Sequence, residues 1–346
     1  MAFNIVPASS SLDAELQAKI DNKTKPLGSL GKLEVLAKKI GLIQKTLEPS
    51  IRKPTMLVFA GDHGVTEQGV SPFPSEVTGQ MVLNFLSGGA AINVFCQQHD
   101  IALKVVDAGV KSELPDHPDL LNLRVASGTA DFSQQPAMTP DQFQHALEQG
   151  SRLASDVISK GSNCLGFGEM GIGNTTSAAA IMAALTGLRV EQCAGRGTGL
   201  DQAGLNHKVD VIKAALELHQ YQNLSVPEIF RIFGGLEMAM MAGALLEAAQ
   251  QQVVVLVDGF IASAVALACV KWFPNCRDYL IFCHQSDEQG HKLMLNYMEV
   301  EPLVDLNMRL GEGSGVAVAF PIIQSAVLFL KNMATFESAG VSDRDS

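Results

Sequence analysis

The stretch NCLGFGEMGIGNTTSAAA, residues 163–180, passes from a short apolar run through a glycine-rich turn into small helix-forming residues. This order predicts a buried strand followed directly by a helix. Four other apolar runs end in a glycine or an acidic residue and lead into helical periodicity: TMLVFAGDHG (55–64), IALKVVDAG (101–109), VVVLVDG (253–259) and YLIFCHQSDE (279–288). Continuous apolar strands separated by helices are typical of a parallel sheet covered on both faces, so we predict an α/β fold.

The two ends of the chain differ from this middle part. Residues 12–47 are Lys-rich, charged and amphipathic, residues 302–335 are rich in Met and Leu, and neither segment contains a clear strand. We predict a large α/β domain over residues 51–300 and a small helical domain that residues 1–50 and 301–346 build together. Helix starts are predicted at Thr139, Ser225 and Ser286, because each precedes a Glu or Gln by three residues.

Composition argues against several classes of partner. The 346 residues carry a net charge of −11, and no cluster of Lys and Arg offers a surface for nucleic acid. Six cysteines are scattered without CxxC spacing, which predicts reduced thiols and neither a disulfide framework nor a metal site. No basic leader precedes a long apolar segment, and the two longest apolar stretches are interrupted by polar residues, so we expect a cytoplasmic protein with no membrane partner.

Polar residues follow each apolar run. They are Asp62, His63, Asp107, Glu169, Asp258, Ser286 and Asp287. Ligands of open α/β sheets bind beyond the carboxyl ends of the strands, so we predict that these side chains meet at one rim of the sheet. For Asp62 and His63, hydrogen bonds that fix loops are favoured over a metal site, because no further ligands have the required spacing.

The glycine-rich turn after the strand at 163–167 is the strongest candidate for an anion site. Glycines let its backbone approach a ligand, and the side chains that follow supply donors at a helix N-terminus: Gly168, Gly171, Gly173, Asn174, Thr175 and Thr176. The turn lacks the Lys of a P-loop and the third glycine of the dinucleotide pattern GxGxxG. A plain strand-helix turn capped by threonines remains the alternative.

A second glycine loop, GRGTGLD at 195–201, contains Gly197 and Thr198, and Lys208 follows on the next helical stretch. Two glycine loops beside one cation suit a phosphorylated sugar, for which Lys acts as a point charge. The alternative is a surface loop followed by a solvated Lys.

The segment RLGEGSG at 309–315 places Glu312 between glycines and apolar neighbours. A carboxylate at the wall of a cavity loses solvation, which raises its pKa towards the range useful for a general base. The alternative is a solvent-facing carboxylate on a mobile loop.

The segment GVSPFPSEVTGQM at 69–81 combines prolines and Phe73 with Ser75 and Gln80. It could border a flat aromatic ligand by an apolar wall and one or two polar contacts. An ordinary proline-containing loop is the simpler interpretation of this segment by itself.

Eight ordered motifs resemble those of the nicotinate-nucleotide:dimethylbenzimidazole phosphoribosyltransferase family. They cover nearly the whole chain: KPLGSLGKLE, FAGDHGV, PSEVTGQMV, GEMGIGNTTSAAA, GRGTGLD, VLVDGFIASAVAL, SDEQGHKLML and RLGEGSGVAVAFPI. The resemblance implies transfer of phosphoribose from nicotinate mononucleotide to dimethylbenzimidazole or a related base, with release of nicotinate, in cobalamin nucleotide-loop assembly. It also implies a Rossmann-like parallel sheet, a small helical domain from both chain ends and a homodimer.

The same resemblance assigns roles to residues. It implies that Glu312 is the catalytic base and Glu169 a second catalytic carboxylate. Phosphoribose would contact the two glycine loops and one cation: Gly171, Gly173, Asn174, Thr175, Thr176, Gly197, Thr198 and Lys208. The acceptor base would contact Ser75, Gln80 and Leu310. Because no pyrophosphate departs in this reaction, none of its steps requires a metal, and we expect no cofactor.

Two other functions remain open from the residues alone. An NAD-dependent oxidoreductase would use the first glycine loop for pyrophosphate, with Glu191 at a tolerable distance downstream. A non-catalytic nucleotide-binding or corrinoid-sensing protein would bind its ligand without turnover. The pair of carboxylates beside two glycine loops argues for catalysis.

Overall fold

The computed structural model describes residues 3–197 and 199–342. Its centre is a sheet of six parallel strands in the order β3-β2-β1-β4-β5-β6. The strands are β1 (Thr55–Gly61), β2 (Ala102–Gly109), β3 (Leu120–Asn122), β4 (Cys164–Met170), β5 (Val254–Val257) and β6 (Leu280–Phe282). A separate parallel pair joins β7 (His284–Gln285) to β8 (Val304–Asp305).

Helices cover both faces of the sheet and both ends of the chain. They are α1 (Asp13–Asp21), α2 (Lys32–Gln44), α3 (Glu76–Leu86), α4 (Ala91–Gln98), α5 (Pro140–Ser159), α6 (Asn174–Thr186), α7 (Val190–Cys193), α8 (Gln202–Leu218), α9 (Val226–Phe233), α10 (Leu236–Gln250), α11 (Phe260–Trp272), α12 (His291–Tyr297), α13 (Ser314–Asn332) and α14 (Phe336–Ala339). Short 3-10 helices occupy Gly64–Gln68, Tyr221–Asn223 and Pro274–Tyr279.

The predicted α/β fold with a parallel sheet is confirmed, and so are all five predicted strands. Every residue of β1, β5 and β6 is buried, which explains why these segments are continuously apolar. The strand β3 was missed by the sequence prediction, because it has only three residues and none of them is fully buried. The strand β8 was also missed, and it corrects the expectation that residues 302–335 contain none.

Two of the three predicted helix starts are confirmed. Thr139 Oγ1 accepts a hydrogen bond from the Gln142 N–H at α5, and Ser225 is the N-cap residue of α9. The prediction at Ser286 was wrong, since α12 begins only at His291. The Ser286 N–H is already used by His291 Nδ1 at 2.7 Å, and the side chain of Gln289 donates to the carbonyl oxygen of Glu191 instead.

The strand order reverses between β1 and β4: β1 pairs with β2 on one side and with β4 on the other. Chain connections therefore leave this pair towards opposite edges of the sheet. In open α/β sheets the crevice beyond the carboxyl ends at such a switch point is the usual ligand position. The glycine turn that follows β4 lies in that position.

Helices from the two chain ends are in contact. The helix α13 packs against α2, α2 packs against α1, and Lys23 forms an isolated antiparallel bridge with Thr335. These contacts agree with a helical unit built from both termini. The boundaries at residues 50 and 300 stay a prediction.

Two apolar segments, Glu76–Gln98 and Ser314–Asn332, have the length and composition of a membrane span. The first is divided between α3 and α4 in the fold, and more than half of the second is buried in the protein. Core helices commonly have such composition. The stretch at 253–272 forms β5 and α11, as the strand-turn-helix interpretation predicts.

The helices α5 and α10 pack closely, and glycines allow the approach. A Cβ added to Gly150 would overlap the carbonyl oxygen of Met240, and one added to Gly243 would overlap that of Leu147. Ser151 Oγ donates to Glu247 Oε2 at 2.8 Å beside this crossing. The backbones therefore touch where a larger residue has no room.

We expect Gly150→Ala to lower the free energy of unfolding by about 1–2 kcal/mol. A Cβ 1.8 Å from a backbone oxygen places the overpacking cost in the upper part of its range of about 1–3 kcal/mol, and the gain in helix propensity offsets roughly 1 kcal/mol of it. Urea unfolding followed by circular dichroism measures the change. Arg152→Ala, an exposed change on the same helix, should stay within about 0.5 kcal/mol. A stabilised Gly150→Ala variant would contradict the close packing.

Candidate active site

A cleft opens at the carboxyl ends of β4 and β5. It contains about 670 Å³ of space between atoms, part of it continuous with solvent. Its walls come from the turn after β4, the first turn of α11, the segment after β7 and the loop before α13. The polar and charged residues lining it are Glu169, Asn174, Thr175, Asp258, Ser286, Glu288, Arg309 and Glu312.

The glycine turn between β4 and α6 has the conformation that its sequence predicts. A Cβ on Gly171 would collide with the carbonyl oxygen of Gly61, and Gly173 has φ of 95°, a conformation that L side chains rarely adopt. The turn brings Asn174 and Thr175, at the start of α6, to the cleft wall. Thr176 is buried beneath them and does not line the cleft.

Glu169 is buried at the end of β4, where Asn174 Nδ2 donates to its Oε2. Burial raises the pKa of Glu169 to about 8, and the nearby carboxylates of Asp258, Glu237 and Glu312 add to the increase. The Asn174 hydrogen bond acts in the opposite direction. This carboxyl group therefore exchanges its proton near neutral pH.

The second carboxylate, Glu312, lies on a strained loop. Gly311, Glu312 and Gly313 have φ of 85°, 65° and 87°, so three consecutive residues adopt the left-handed region before α13 begins. A Cβ on Gly168 would overlap the backbone of Glu312, which shows that β4 and this loop are in direct contact. The side chain of Glu312 is held at the cleft wall by the backbone, and the solvent-facing alternative is excluded.

Asp258 anchors this loop from the end of β5. Its Oδ1 accepts from the N–H groups of Gly315 and Val316 at 2.7 and 3.2 Å, and its Oδ2 accepts from the Gly313 N–H at 3.0 Å. These are donors that a helix leaves unpaired at its N-terminus. Sequence reasoning placed Asp258 on the rim and did not include it among the site residues, because the helix that it caps lies far along the chain.

Burial raises the pKa of Glu312 to about 7, and the negative charge of Asp258 adds to the increase. Within residues 3–197 and 199–342, Glu312 Oε2 is a buried oxygen with no hydrogen-bond partner. The group thus has a free acceptor position and a pKa at which both protonation states are populated. Both properties suit a general base.

Lys208 is buried behind the second glycine loop. Its Nζ donates to Thr175 Oγ1 at 2.9 Å and to the Gly195 carbonyl oxygen at 3.2 Å, so it joins the two glycine loops. Burial lowers the pKa of Lys208 to about 8, and Glu288 opposes the decrease. The surface alternative for this Lys is excluded, while Thr198 lies outside the described residues.

Two charged residues of the cleft were missed by sequence reasoning. Glu288 Oε1 accepts from the Gly197 N–H at 3.1 Å, and Arg309 Nη1 donates to the Gly197 carbonyl oxygen at 3.2 Å. The sequence signal nearest to Glu288 pointed to a helix start, and Arg309 was counted only as part of the loop around Glu312.

Asp62 and His63 lie beside the cleft, and their hydrogen bonds hold the neighbouring loops in place. Asp62 accepts from Ser75 Oγ at 2.6 Å and from the Lys111 N–H at 2.7 Å. His63 bridges Ser177 Oγ and Glu237 Oε1, at 3.0 and 2.7 Å, below the first glycine loop. These bonds agree with the predicted loop-fixing role. Among the described residues, no group of three or more His, Cys, Asp or Glu side chains is placed to hold a metal.

The residues expected to contact an acceptor base are dispersed in this chain. Leu310 lines the cleft and is 56% exposed, which is unusual for a large apolar side chain. Ser75 is bonded to Asp62, and Gln80 is exposed on α3; neither lines the cleft. The structure therefore unites Leu310 with Glu169 and Glu312 and leaves Ser75 and Gln80 outside the cleft wall.

Comparison with known proteins gives a consistent picture. The sequence model of a phosphoribosyltransferase family matches residues 5–341. The chain is 51% identical to the nicotinate-nucleotide–dimethylbenzimidazole phosphoribosyltransferase of Dechloromonas aromatica, with 99% of each chain covered. It is 52% identical to the enzyme of the same name from Cupriavidus taiwanensis, covering 98% of this chain and 97% of that one. A crystal structure of CobT from Thermus thermophilus superposes with a TM-score of 0.91 at 43% identity, covering 95% of this chain and 98% of that one.

The raised pKa of Glu169 predicts that the free energy of unfolding depends on pH. The folded protein disfavours the ionised carboxylate, so stability falls as pH rises from about 4.5, the ordinary value, to about 8. We expect Glu169→Gln to match the parent protein at pH 4.5 and to exceed its free energy of unfolding by at least about 1 kcal/mol at pH 8.5.

Urea unfolding at the two pH values measures this difference. Glu301→Gln, a change at an exposed side chain, serves as the control and should show no pH-dependent difference. A Glu169→Gln advantage that is equal at both pH values would exclude a raised pKa as its cause.

Proposed function

The chain belongs to the phosphoribosyltransferase family whose sequence model spans residues 5–341, and from this membership we propose that it transfers phosphoribose from nicotinate mononucleotide to dimethylbenzimidazole. The products are alpha-ribazole phosphate and nicotinate, and the reaction serves assembly of the cobalamin nucleotide loop. The names of the relatives support this substrate pair. The observation that carries the mechanism is the meeting of Glu169 and Glu312 in one cleft beside two glycine loops.

The leaving group needs no acid in this reaction. In nicotinate mononucleotide the glycosidic nitrogen belongs to a positively charged pyridinium ring. When the bond from C1′ to this nitrogen breaks, the ring keeps the electron pair and becomes neutral. The ribosyl carbon gains positive character, and buried carboxylates next to it lower the energy of that charge.

The acceptor does need a base. Dimethylbenzimidazole attacks C1′ through one ring nitrogen, and the resulting cation must lose the proton on its other nitrogen. Glu312 accepts this proton, since its Oε2 has no hydrogen-bond partner among the described residues and its pKa lies near 7. Leu310, two residues earlier on the same loop, provides an apolar contact for the aromatic ring.

Attack on the face opposite the departing nicotinate inverts the anomeric carbon from β to α. This requires that the ribose phosphate stays fixed while the two bases occupy opposite sides. The glycine turn at 171–174 and the loop around Gly197 line the cleft where the phosphate would bind, and Lys208 supplies a positive charge behind them. Glu169, which accepts a hydrogen bond from Asn174, would orient the ribose and, in its ionised form, stabilise the positive charge at C1′.

Assembly and location complete the proposal. We place the protein in the cytoplasm as a homodimer, and apolar side chains exposed on α3, α4 and α13 are compatible with a subunit contact. They are Leu83, Val94 and Leu328, each between 44% and 55% exposed. Analytical ultracentrifugation of the purified protein tests the dimer.

We expect Glu312→Gln to reduce kcat about 10²- to 10³-fold, because the amide keeps the shape of the side chain and cannot accept the proton. Chromatography with mass detection should show alpha-ribazole phosphate and nicotinate in equal amounts from the parent protein. Glu301→Gln should retain full activity. Absence of product from the folded parent protein would favour another acceptor base, and then the oxidoreductase or sensor alternatives.

The pH dependence tests independently whether the titrating base is a carboxyl group next to Asp258. The active form of Glu312 is ionised, so kcat/KM should rise with pH through about 7. Asp258→Asn removes a neighbouring negative charge, which should move this rise to lower pH and also reduce kcat, because the loop loses part of its anchor. A rise at unchanged pH in this variant would assign the titration to another group.

A further inference from the structure

The second glycine loop already surrounds a carboxylate of the protein. Gly197 N–H donates to Glu288 Oε1 at 3.1 Å, and Glu288 lines the cleft although only 8% of its surface is exposed. A Cβ on Gly195 would collide with the same carboxylate, so the loop fits closely around it. Glu288 is thus an anion held by the backbone of a loop expected to hold a phosphate.

The cationic surroundings of this carboxylate are those proposed for the phosphate. Lys208 lies close enough to Glu288 for the carboxylate to oppose the burial-induced decrease in the pKa of this Lys. Lys208 Nζ donates to Thr175 Oγ1, and Thr175 lines the same cleft. The loop also receives a hydrogen bond from Arg309 at the Gly197 carbonyl oxygen.

A phosphate and Glu288 cannot share this position without a cost. Both are anions that seek the Gly197 N–H, and like charges in contact at a site with little solvent repel strongly. A bound phosphate must therefore either move the carboxylate or bind against its charge.

We propose that Glu288 occupies the phosphate position of the ligand-free protein and that the phosphate of the substrate displaces its carboxylate from Gly197. Phosphate binding is then an exchange of one anion for another, and Glu288 sets the affinity for the phosphorylated substrate. This inference rests on the proposed function for the identity of the substrate. The displacement of the Glu288 carboxylate should accompany the binding of any phosphate at this loop, whatever molecule carries it.

Titration calorimetry with inorganic phosphate tests the exchange without turnover. Glu288→Gln keeps an oxygen that can accept from the Gly197 N–H and removes the charge, so we expect it to bind phosphate about tenfold more tightly than the parent protein. Glu191→Gln makes the same change in net charge at an exposed site behind the loop, and it should change the affinity less than about twofold. Equal or weaker binding by Glu288→Gln would show that the carboxylate only supports the loop.

Crystal structures of the parent protein with and without inorganic phosphate test displacement without any variant. We expect the bond from Gly197 N to Glu288 Oε1 to be present in the ligand-free crystal and broken in the phosphate complex. Persistence of that bond beside a bound phosphate would overturn the proposal, as would a phosphate located elsewhere.

Kinetics separate this proposal from the proposed function. Glu288→Gln should lower the KM for nicotinate mononucleotide and leave unchanged that for nicotinate riboside, which lacks the phosphate. An equal change for both substrates would argue against displacement. If neither substrate is turned over by the parent protein, the proposed function fails, while the calorimetric and crystallographic results still decide the role of Glu288.

Discussion

The position of the loop that carries Glu312 depends on the carboxylate of Asp258. Asp258 directly follows β5, and its carboxylate accepts hydrogen bonds from three backbone N–H groups at the start of α13, which lie 55 to 58 residues further along the sequence. Because those donors would otherwise be unpaired in a buried position, the two elements are joined by bonds that are costly to lose. The strained loop carrying Glu312 lies immediately before this junction, and its left-handed backbone is maintained by the anchor.

The same anchor concentrates negative charge at the cleft. Asp258, Glu169 and Glu312 lie near one another away from solvent. The charge of Asp258 raises the pKa of both glutamates, and the charge of Glu312 adds to the increase at Glu169. The helices α6, α11 and α13 begin at this cleft, and the positive ends of their dipoles offset part of the repulsion. Burial of these carboxyl groups therefore lowers the free energy of unfolding and lets them exchange protons near neutral pH, an arrangement common in catalytic sites.

Glycines make these close contacts possible. Gly168 in β4 allows the backbone of Glu312 to touch the strand, and Gly315 at the start of α13 leaves room for the ring of His284. With any side chain at these positions, the loop and α13 would be displaced from the sheet. Local patterns predicted the glycine turn after β4, since there the turn and the helix are adjacent in sequence, while the reasons for Gly168 and Gly315 depend on partners far along the chain.

Local patterns were enough to predict the parallel sheet, five of its strands, the glycine turn before α6 and the candidate carboxylates, because apolar periodicity and glycine spacing are properties of neighbouring residues. The motifs also indicated the family. The three-dimensional arrangement was needed to show that Asp258 caps α13, that Glu288 reaches Gly197 across 91 residues, and that Ser75 binds Asp62 instead of lining the cleft. Such contacts, and the burial that sets the pKa of Glu169, arise where distant segments meet, and no local pattern encodes those meetings.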